Sequence, residues 1–168
     1  MSYVENSVVN NSLTWTQSDT QAGARVIDVV EIEYQELFTS GTGAGQVSSV
    51  FYTTGTLTAA ETKQFDLFSL TRSVFGASLT TNFSGSKVKV INITNISTGA
   101  GYIMNLLVTG TSPFTMNFLG SSSGIVLYPD SYHTAINLTG FSITTGNRYF
   151  YLKNTISSGI GYQVSIIG

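Results

Sequence analysis

The residue type that most often performs acid–base chemistry near neutral pH occurs once in this chain, as His133. A serine hydrolase needs a histidine, a carboxylate and a nucleophilic serine in one constellation, and the chain has no Gly-x-Ser-x-Gly elbow between a strand and a helix. The neighbouring Asp130 does not make a triad by proximity in sequence alone. The simplest interpretation of His133 is a strand or surface residue with ordinary hydrogen bonds, so the sequence predicts no catalytic residue.

Acidic side chains are concentrated in one segment, which contains Asp28, Glu31, Glu33 and Glu36. If that segment is a strand, Glu31 and Glu33 share a face about 7 Å apart and could hold a hard cation. A solvated face, or an edge that charge protects from unwanted pairing, is the simpler interpretation. Docking of a basic partner surface is a third. We expect no metal and no cofactor, and we place the contacts to a partner at Glu31, Glu33, Glu36 and Trp15.

Carbohydrate chemistry has two groups of candidate residues. Glycoside hydrolysis needs two carboxyl groups about 5 to 10 Å apart in a cleft, and the candidates outside the acidic segment are Glu61, Asp66 and Asp130. Tyr149 and Tyr151 fall on one face of a predicted strand, where exposed rings could stack on a sugar. The simpler interpretation is a half-buried outer face of the sheet, and a glycan-facing role for both tyrosines is the alternative.

The composition is that of a globular chain with few charges. The 168 residues include 42 % hydrophobic side chains, which is ample for a core, but only 10 % Asp, Glu, Lys and Arg, against about 25 % in an average domain. A net charge of −2 leaves no basic surface for nucleic acid. No apolar run is long enough for a membrane span, and no signal peptide is visible. The absence of cysteine excludes disulfides and thiolate metal sites. This composition argues against an enzyme.

The elements that would position these residues are short strands, because β-branched and aromatic residues alternate with polar ones between frequent turn signals. In residues 162–167, Tyr162, Val164 and Ile166 share one face. In residues 87–95 the alternation changes phase near Val90, which predicts a β-bulge or a covered second face. A helical turn is expected at residues 69–75. The other predicted strands are residues 25–34, 64–68, 78–83, 102–109, 114–119, 125–128, 133–138 and 148–154.

These patterns predict an all-β protein, an antiparallel β-sandwich of jelly-roll type with an extended N-terminal arm. The Gly-rich residues 40–45 divide an arm and strand segment, residues 1–40, from a sandwich domain, residues 41–168. Residues 1–12 show no clear periodicity, so we expect them to be disordered alone or ordered by a neighbour.

The order of short motifs resembles one family of known proteins. The resemblance is carried by GTGAGQ (41–46), SVFY (49–52), GTLTA (55–59), FDL (65–67), LT (70–71), VFG (74–76), LT (79–80), VKVINITN (88–95), VLYP (126–129), GFSITTG (140–146), LKN (152–154) and IIG (166–168). The family comprises small, mostly uncharacterised proteins encoded among the virion structural genes of tailed bacteriophages. Its usual Pro-Gly turn is Pro129-Asp130 in this chain.

The resemblance implies a non-enzymatic virion structural protein, most simply a capsid cement or decoration protein on the outer capsid surface, made in the host cytoplasm. Its implied partners are the major capsid protein and further copies of itself, with a trimer favoured by the symmetry of capsid junctions, and neither nucleic acid nor membrane. The alternative is a receptor-binding fibre or spike module that recognises host-surface glycans through Tyr149, Tyr151 and loops such as residues 120–124. A third reading is a glycan-cleaving enzyme that uses Asp66, Asp130 or Glu61.

Overall fold

The computed structural model describes residues 6–21, 24–74, 76–107, 112–114 and 124–168, and this part of the chain is all-β, with thirteen strands. The predicted all-β class is therefore confirmed. The strands are β1 (Asn6–Gln21), β2 (Ala24–Ser40), β3 (Gln46–Val47), β4 (Val50–Leu57), β5 (Thr62–Asp66), β6 (Leu70–Val74), β7 (Ala77–Thr81), β8 (Lys87–Asn95), β9 (Met104–Leu107), β10 (Gly124–Leu127), β11 (Tyr132–Ser142), β12 (Tyr149–Asn154) and β13 (Ile160–Ile167).

Two four-stranded antiparallel sheets lie around one hydrophobic core. Sheet I has the strand order β11-β8-β13-β4, and sheet II has the order β10-β9-β12-β5. Both sheets contribute to a single cluster of buried side chains, for example Phe51 and Val164 from sheet I and Phe65 and Leu152 from sheet II. Because each sheet buries one face against the same cluster, the arrangement is a β-sandwich.

The core is rich in aromatic rings that strand alternation turns inward. As predicted, β13 buries Tyr162, Val164 and Ile166 and leaves the residues between them partly exposed. Phe65 stacks on Phe150 with ring centroids 4.8 Å apart, and Tyr162 meets Phe65 edge to face at 6.0 Å. Burial of these rings supplies much of the apolar area that stabilises the sandwich.

Two fully buried asparagines fix the connections at the ends of the sandwich. Asn95, the last residue of β8, donates to one backbone carbonyl between β8 and β9 and to another at the end of β10. Asn154, the last residue of β12, donates to three carbonyls, two where β4 ends and one after β12. A buried amide is tolerated only when it is hydrogen-bonded, so both side chains tie the connections to the strands.

Strand β8 buries side chains on both sides of sheet I. Val88 and Ile91 belong to the sandwich core, whereas Val90 belongs to a second cluster on the outer side of the sheet. The reversal lies at Lys89, where the register between β8 and β11 shifts. The predicted phase change is confirmed, and it takes both predicted forms, an irregular pairing and a covered second face.

Strands β1 and β2 form a long antiparallel hairpin of 16 and 17 residues. At its root, Phe38, Val9 and Val47 pack against an outer patch on sheet I, which consists of Val90, Ile136 and Ile167. The expectation that the N-terminal residues lack regular structure of their own is wrong for residues 6–12. Their backbone pairs with residues 33–39, a non-local partner that their own sequence pattern does not reveal.

The helical turn expected at residues 69–75 is also wrong. Strands β6 and β7 form a two-stranded hairpin, and Leu70 enters the core. Gly76 has a positive φ of 81° in the turn between them, where glycine is favoured. Leu70 and Val74 are four residues apart, which imitates the apolar period of a helix. The predicted strand at residues 114–119 lies outside the described residues except for Phe114.

The close approach of β4 to a core ring gives the first prediction. Gly55 is directly opposite Tyr162, and a Cβ at Gly55 would lie 2.6 Å from the Tyr162 hydroxyl oxygen. We expect Gly55→Ala to lower the free energy of unfolding by about 1–3 kcal/mol, the usual cost of overpacking, measured by urea denaturation. The control is Gly146→Ala, whose Cβ has no neighbour nearer than 4.0 Å. Wild-type stability in Gly55→Ala would contradict this account.

Candidate functional site

The carboxylates considered for glycoside hydrolysis are spread over the sandwich. Glu61 precedes β5 and accepts hydrogen bonds from the backbone N–H and the hydroxyl of Thr58, which lower the pKa of Glu61. Asp66 ends β5, about 16 Å from Glu61 by the rise of a strand, which exceeds the separation that two-carboxylate hydrolysis uses. Asp130 is exposed in the turn before β11. The extended backbone of β5 therefore does not by itself bring Glu61 and Asp66 together.

His133 lies on β11, on the side of the strand that carries the buried Ala135. The imidazole is half-buried, and this burial lowers the pKa of His133 from its ordinary value. A lower pKa favours the uncharged ring at neutral pH. The position of His133 between a core residue and the exposed turn at Asp130 fits the interpretation of a strand residue.

An aromatic and charged cluster, the Arg148 cluster, lies where β5 ends and β12 begins, and it consists of Asp66, Phe68, Arg148 and Tyr149; Phe68 also packs against the sandwich core. The Arg148 guanidinium lies 4.6 Å from the ring centroid of Tyr149 and 5.0 Å from that of Phe68. It donates to the Tyr149 hydroxyl, which raises the pKa of Arg148, and its Nε is 3.5 Å from Asp66 Oδ1. The side chains of Arg148 and Tyr149 are both partly exposed, that of Arg148 by 28 %, and guanidinium and phenol groups can bind hydroxyl-rich ligands.

Tyr151 is two residues along the same face of β12, in register with Gln64 of β5 and Leu107 of β9. Both predicted tyrosines are half-buried on the outer face, and Phe150 between them is in the core. The two differ in their surroundings, since Arg148 covers the ring of Tyr149 whereas Tyr151 neighbours an amide.

The hairpin has two faces, and both carry exposed apolar side chains. Residues directly opposite in an antiparallel pair point to the same side, so the register assigns every pair to one face. One side, the apolar face, carries Val9, Leu13, Ile32, Tyr34 and Phe38. The other side, the acidic face, carries Glu31, Glu33 and Gln35 and also the exposed apolar side chains of Val8, Val29 and Leu37.

The residues predicted to contact a partner are divided between these faces. Glu31 and Glu33 are exposed on the acidic face. Glu36 is half-buried on the opposite side, where its Oε2 accepts a hydrogen bond of 3.2 Å from the Tyr34 hydroxyl. The side chain of Trp15 lies outside the described residues. Glu31 and Glu33 can therefore meet one partner surface together, and Glu36 cannot join them there.

Most of the apolar face extends beyond the root of the hairpin. Leu13 and Ile32 are directly opposite one another and are 59 % and 55 % exposed. Tyr34 is 47 % exposed on the same side. A two-stranded ribbon without cover is at best marginally stable in water, and a contiguous exposed apolar stripe commonly marks an interaction surface.

A groove of about 470 Å³ lies between the root of the hairpin and the outer side of sheet I. Sheet I contributes both polar and aliphatic side chains to its lining, and the exposed Tyr132 also lines it. This outer groove is lined by Val8, Val9, Asn10, Val90, Asn92, Thr94, Tyr132, Thr134, Ile136, Ser165 and Ile167.

Lys89 fixes the loop that joins the hairpin to the sandwich. Its side chain is almost fully buried, and its Nζ donates to the backbone carbonyls of Gly43 and Gln46. In the same loop the Gly45 N–H donates to the Leu138 carbonyl of β11 at 3.2 Å. Burial lowers the pKa of Lys89. The sequence analysis did not single out Lys89, although its position between Val88 and Val90 in an apolar strand was a sign that the lysine is buried.

The described ranges hold no group of three or more His, Cys, Asp or Glu residues that could bind a metal ion. They also contain no helix with the length and apolarity that a bilayer crossing requires. Comparison of the chain with protein-family models, curated proteins and solved structures finds no match. The resemblance to phage virion proteins therefore stays a prediction that depends on the motifs quoted above.

The anchor at Lys89 is testable. Lys89→Met keeps the aliphatic stem and removes the donor to two loop carbonyls, so we expect the free energy of unfolding to fall by about 1–3 kcal/mol, measured by urea denaturation. Lys153→Met, at an exposed position of β12, is the control and should change little. An equal effect of the two substitutions would show that the loop does not depend on Lys89.

Proposed function

We propose that the chain is a non-enzymatic virion structural protein, a cement or decoration protein that binds the outside of an assembled phage shell. The observation that carries the proposal is the hairpin of 16 and 17 residues, which is anchored to a compact sandwich and has two exposed faces. Such an extension can contact neighbouring subunits without changing the packing of the sandwich. The proposed partners are a major capsid protein and further copies of this chain.

We also infer that the sandwich is a jelly roll. The two sheets are formed by β4, β5 and β8–β13, and the β6–β7 hairpin belongs to neither. When these eight strands are numbered 1 to 8 along the chain, sheet I has the order 1-8-3-6 and sheet II has the order 2-7-4-5. This is the strand order of a jelly roll, an architecture common in viral capsid proteins and in lectins. The architecture supports a role in a virion by analogy alone, since one fold serves many functions.

The proposed mechanism is preferential binding to the assembled shell. A protein that binds only where shell subunits meet stabilises the assembled state by its binding free energy, as any ligand specific for one state does. Glu31 and Glu33 would contact basic groups of the shell. Because the rest of the chain has few charges, shape complementarity and hydroxyl contacts would supply the rest of the binding free energy.

Binding to purified shells that lack the protein tests this proposal. We expect the unmodified chain to co-sediment with such shells, and the double variant Glu31→Gln/Glu33→Gln to bind about 2- to 30-fold more weakly at low salt, since exposed ion pairs contribute about 0.2–1 kcal/mol each. Asp130→Asn, which changes an exposed carboxylate outside the hairpin, is the matched control. Failure of the unmodified protein to bind any shell would exclude the proposal.

The Arg148 cluster favours a second candidate, a receptor-binding module that recognises host-surface glycans. Rings beside a guanidinium and amides are groups that contact sugars in lectin-like sites. On this reading Tyr149 and Tyr151 face the glycan, and Gln64 of β5, which pairs with Tyr151, is their polar neighbour.

A glycan array with the isolated protein separates the two candidates. If the second is correct, the chain binds a defined set of glycans, and Tyr151→Ala weakens that binding at least tenfold while the neighbouring Lys153→Ala does not. Binding of no glycan by the unmodified chain would remove this candidate and leave shell binding.

A further inference from the structure

We propose that the outer face of sheet I binds an uncharged oligosaccharide beside the patch that the root of the hairpin covers. This site is separate from the Arg148 cluster, which lies at strands of sheet II. The proposal goes beyond the proposed function and does not depend on binding to a shell.

The register of sheet I places two rows of uncharged polar residues side by side on its outer face. Directly opposite residues of antiparallel strands point to the same side, and the two rows continue the apolar row of Val90, Ile136 and Ile167 at every second position along the strands. We call these two rows the polar platform. From β11 to β4, its first row is Thr134, Asn92, Ser165 and Tyr52, and its second row is Tyr132, Thr94, Gln163 and Thr54.

Two exposed tyrosine rings flank the polar platform. Tyr132 on β11 is 60 % exposed and Tyr52 on β4 is 41 % exposed, and β11 and β4 are the two edge strands of sheet I. Three strand spacings separate these strands, a distance of about 14 Å. A tyrosine presents a flat apolar ring with a hydroxyl at its tip, which matches a sugar ring with its apolar C–H face and its hydroxyl rim.

Hydrogen bonds between side chains hold the polar groups between the two rings in place. Asn92 Nδ2 donates to the Thr134 hydroxyl at 2.6 Å, and the Thr94 hydroxyl donates to Asn92 Oδ1 at 3.1 Å. Gln163 Nε2 donates to the Tyr52 hydroxyl at 2.6 Å. Amide and hydroxyl groups can each make more than one hydrogen bond, so the platform offers ordered partners to a ligand that carries hydroxyl groups, at a reduced entropic cost of binding.

The charge of the polar platform indicates the class of ligand. None of its residues is acidic or basic, so a carboxylate, phosphate or ammonium group held there would lose hydration without gaining a counter-charge. A protein partner would bury an apolar interface core, but Phe38 and Val9 of the hairpin already pack on the apolar row of this face. The part that remains exposed fits an uncharged ligand that is rich in hydroxyl groups.

The outer groove bounds one side of this site. Its volume of about 470 Å³ lies within the range of about 300–1,000 Å³ that is usual for small-molecule sites. Strand β1 contributes Val8, Val9 and Asn10 to the lining. The residues that the groove shares with the polar platform are Asn92, Thr94, Tyr132, Thr134 and Ser165.

Binding of glycans by the full chain tests the proposal. On an array of neutral, sialylated and sulfated oligosaccharides, we expect the unmodified chain to bind neutral members and no acidic ones. For the neutral oligosaccharide with the strongest signal, Tyr132→Ala and Tyr52→Ala should each raise Kd about tenfold, which corresponds to about 1.4 kcal/mol. Tyr128→Ala is the matched control and should leave Kd unchanged, because Tyr128 is 61 % exposed but lies outside the platform. Binding of no neutral glycan, or an equal effect of Tyr128→Ala, would overturn the inference.

An NMR titration of the unmodified chain locates the site even if a variant fails to fold. With the same oligosaccharide, we expect backbone amide signals of β8 and β13 to shift and those of β5 and β12 to stay in place. Shifts confined to β5 and β12 would place the glycan on sheet II and overturn the inference. Weaker shell binding by Tyr132→Ala and Tyr52→Ala, without any glycan binding, would identify this face as a protein contact and also overturn it. A chain that binds neutral glycans through this face but binds no shell would leave the inference standing and refute the proposed function.

Discussion

The architecture depends on the reversal of side-chain alternation at Lys89 in the middle of sheet I. A strand that alternates regularly buries one face and leaves the other wet, but β8 contributes Val90 to the outer side while Val88 and Ile91 remain in the core. The outer side of sheet I therefore carries an apolar patch that water would otherwise contact. Phe38 covers that patch, and because Phe38 belongs to β2 this contact holds the root of the hairpin against sheet I.

The same irregularity supplies the means of holding the hairpin in place. Lys89 bonds to the loop after β2, and the part of β11 that shifts register offers the Leu138 carbonyl to Gly45. A buried ammonium is costly unless it is hydrogen-bonded, so the loop and the lysine stabilise each other. The hairpin leaves the body in a direction set by these contacts, and its two faces then point to different surroundings.

The strands of the sandwich were the most predictable part of the molecule. Residues 87–95 coincide with β8, and the alternation of Tyr162, Val164 and Ile166 is that of β13, because a strand between a core and solvent must show a period of two. Residues 69–75 misled the prediction, since apolar residues four apart fit a helix as well as a short hairpin. Only the pairing of β6 with β7 distinguishes the two.

The candidate surfaces were predictable in kind but not in arrangement. The acidic residues at positions 31 and 33 and the tyrosines at 149 and 151 could be placed on common faces from alternation alone. The separation of Glu36 from the other glutamates follows from the same rule once the strand is known to continue to Ser40. The covering of Tyr149 by Arg148 could not be foreseen, because it depends on how side chains fill the space between Asp66 and Phe68.

By itself the sequence determined the all-β class, the low charge and the alternating core, because these depend on composition and on the local period of the backbone. The tertiary structure alone decided that the N-terminal residues pair into a hairpin, that Lys89 anchors it and that apolar side chains on both faces of the hairpin remain exposed. Each of these depends on contacts between residues far apart in the chain, and a local pattern carries no information about which distant segment will satisfy a strand edge or a buried charge.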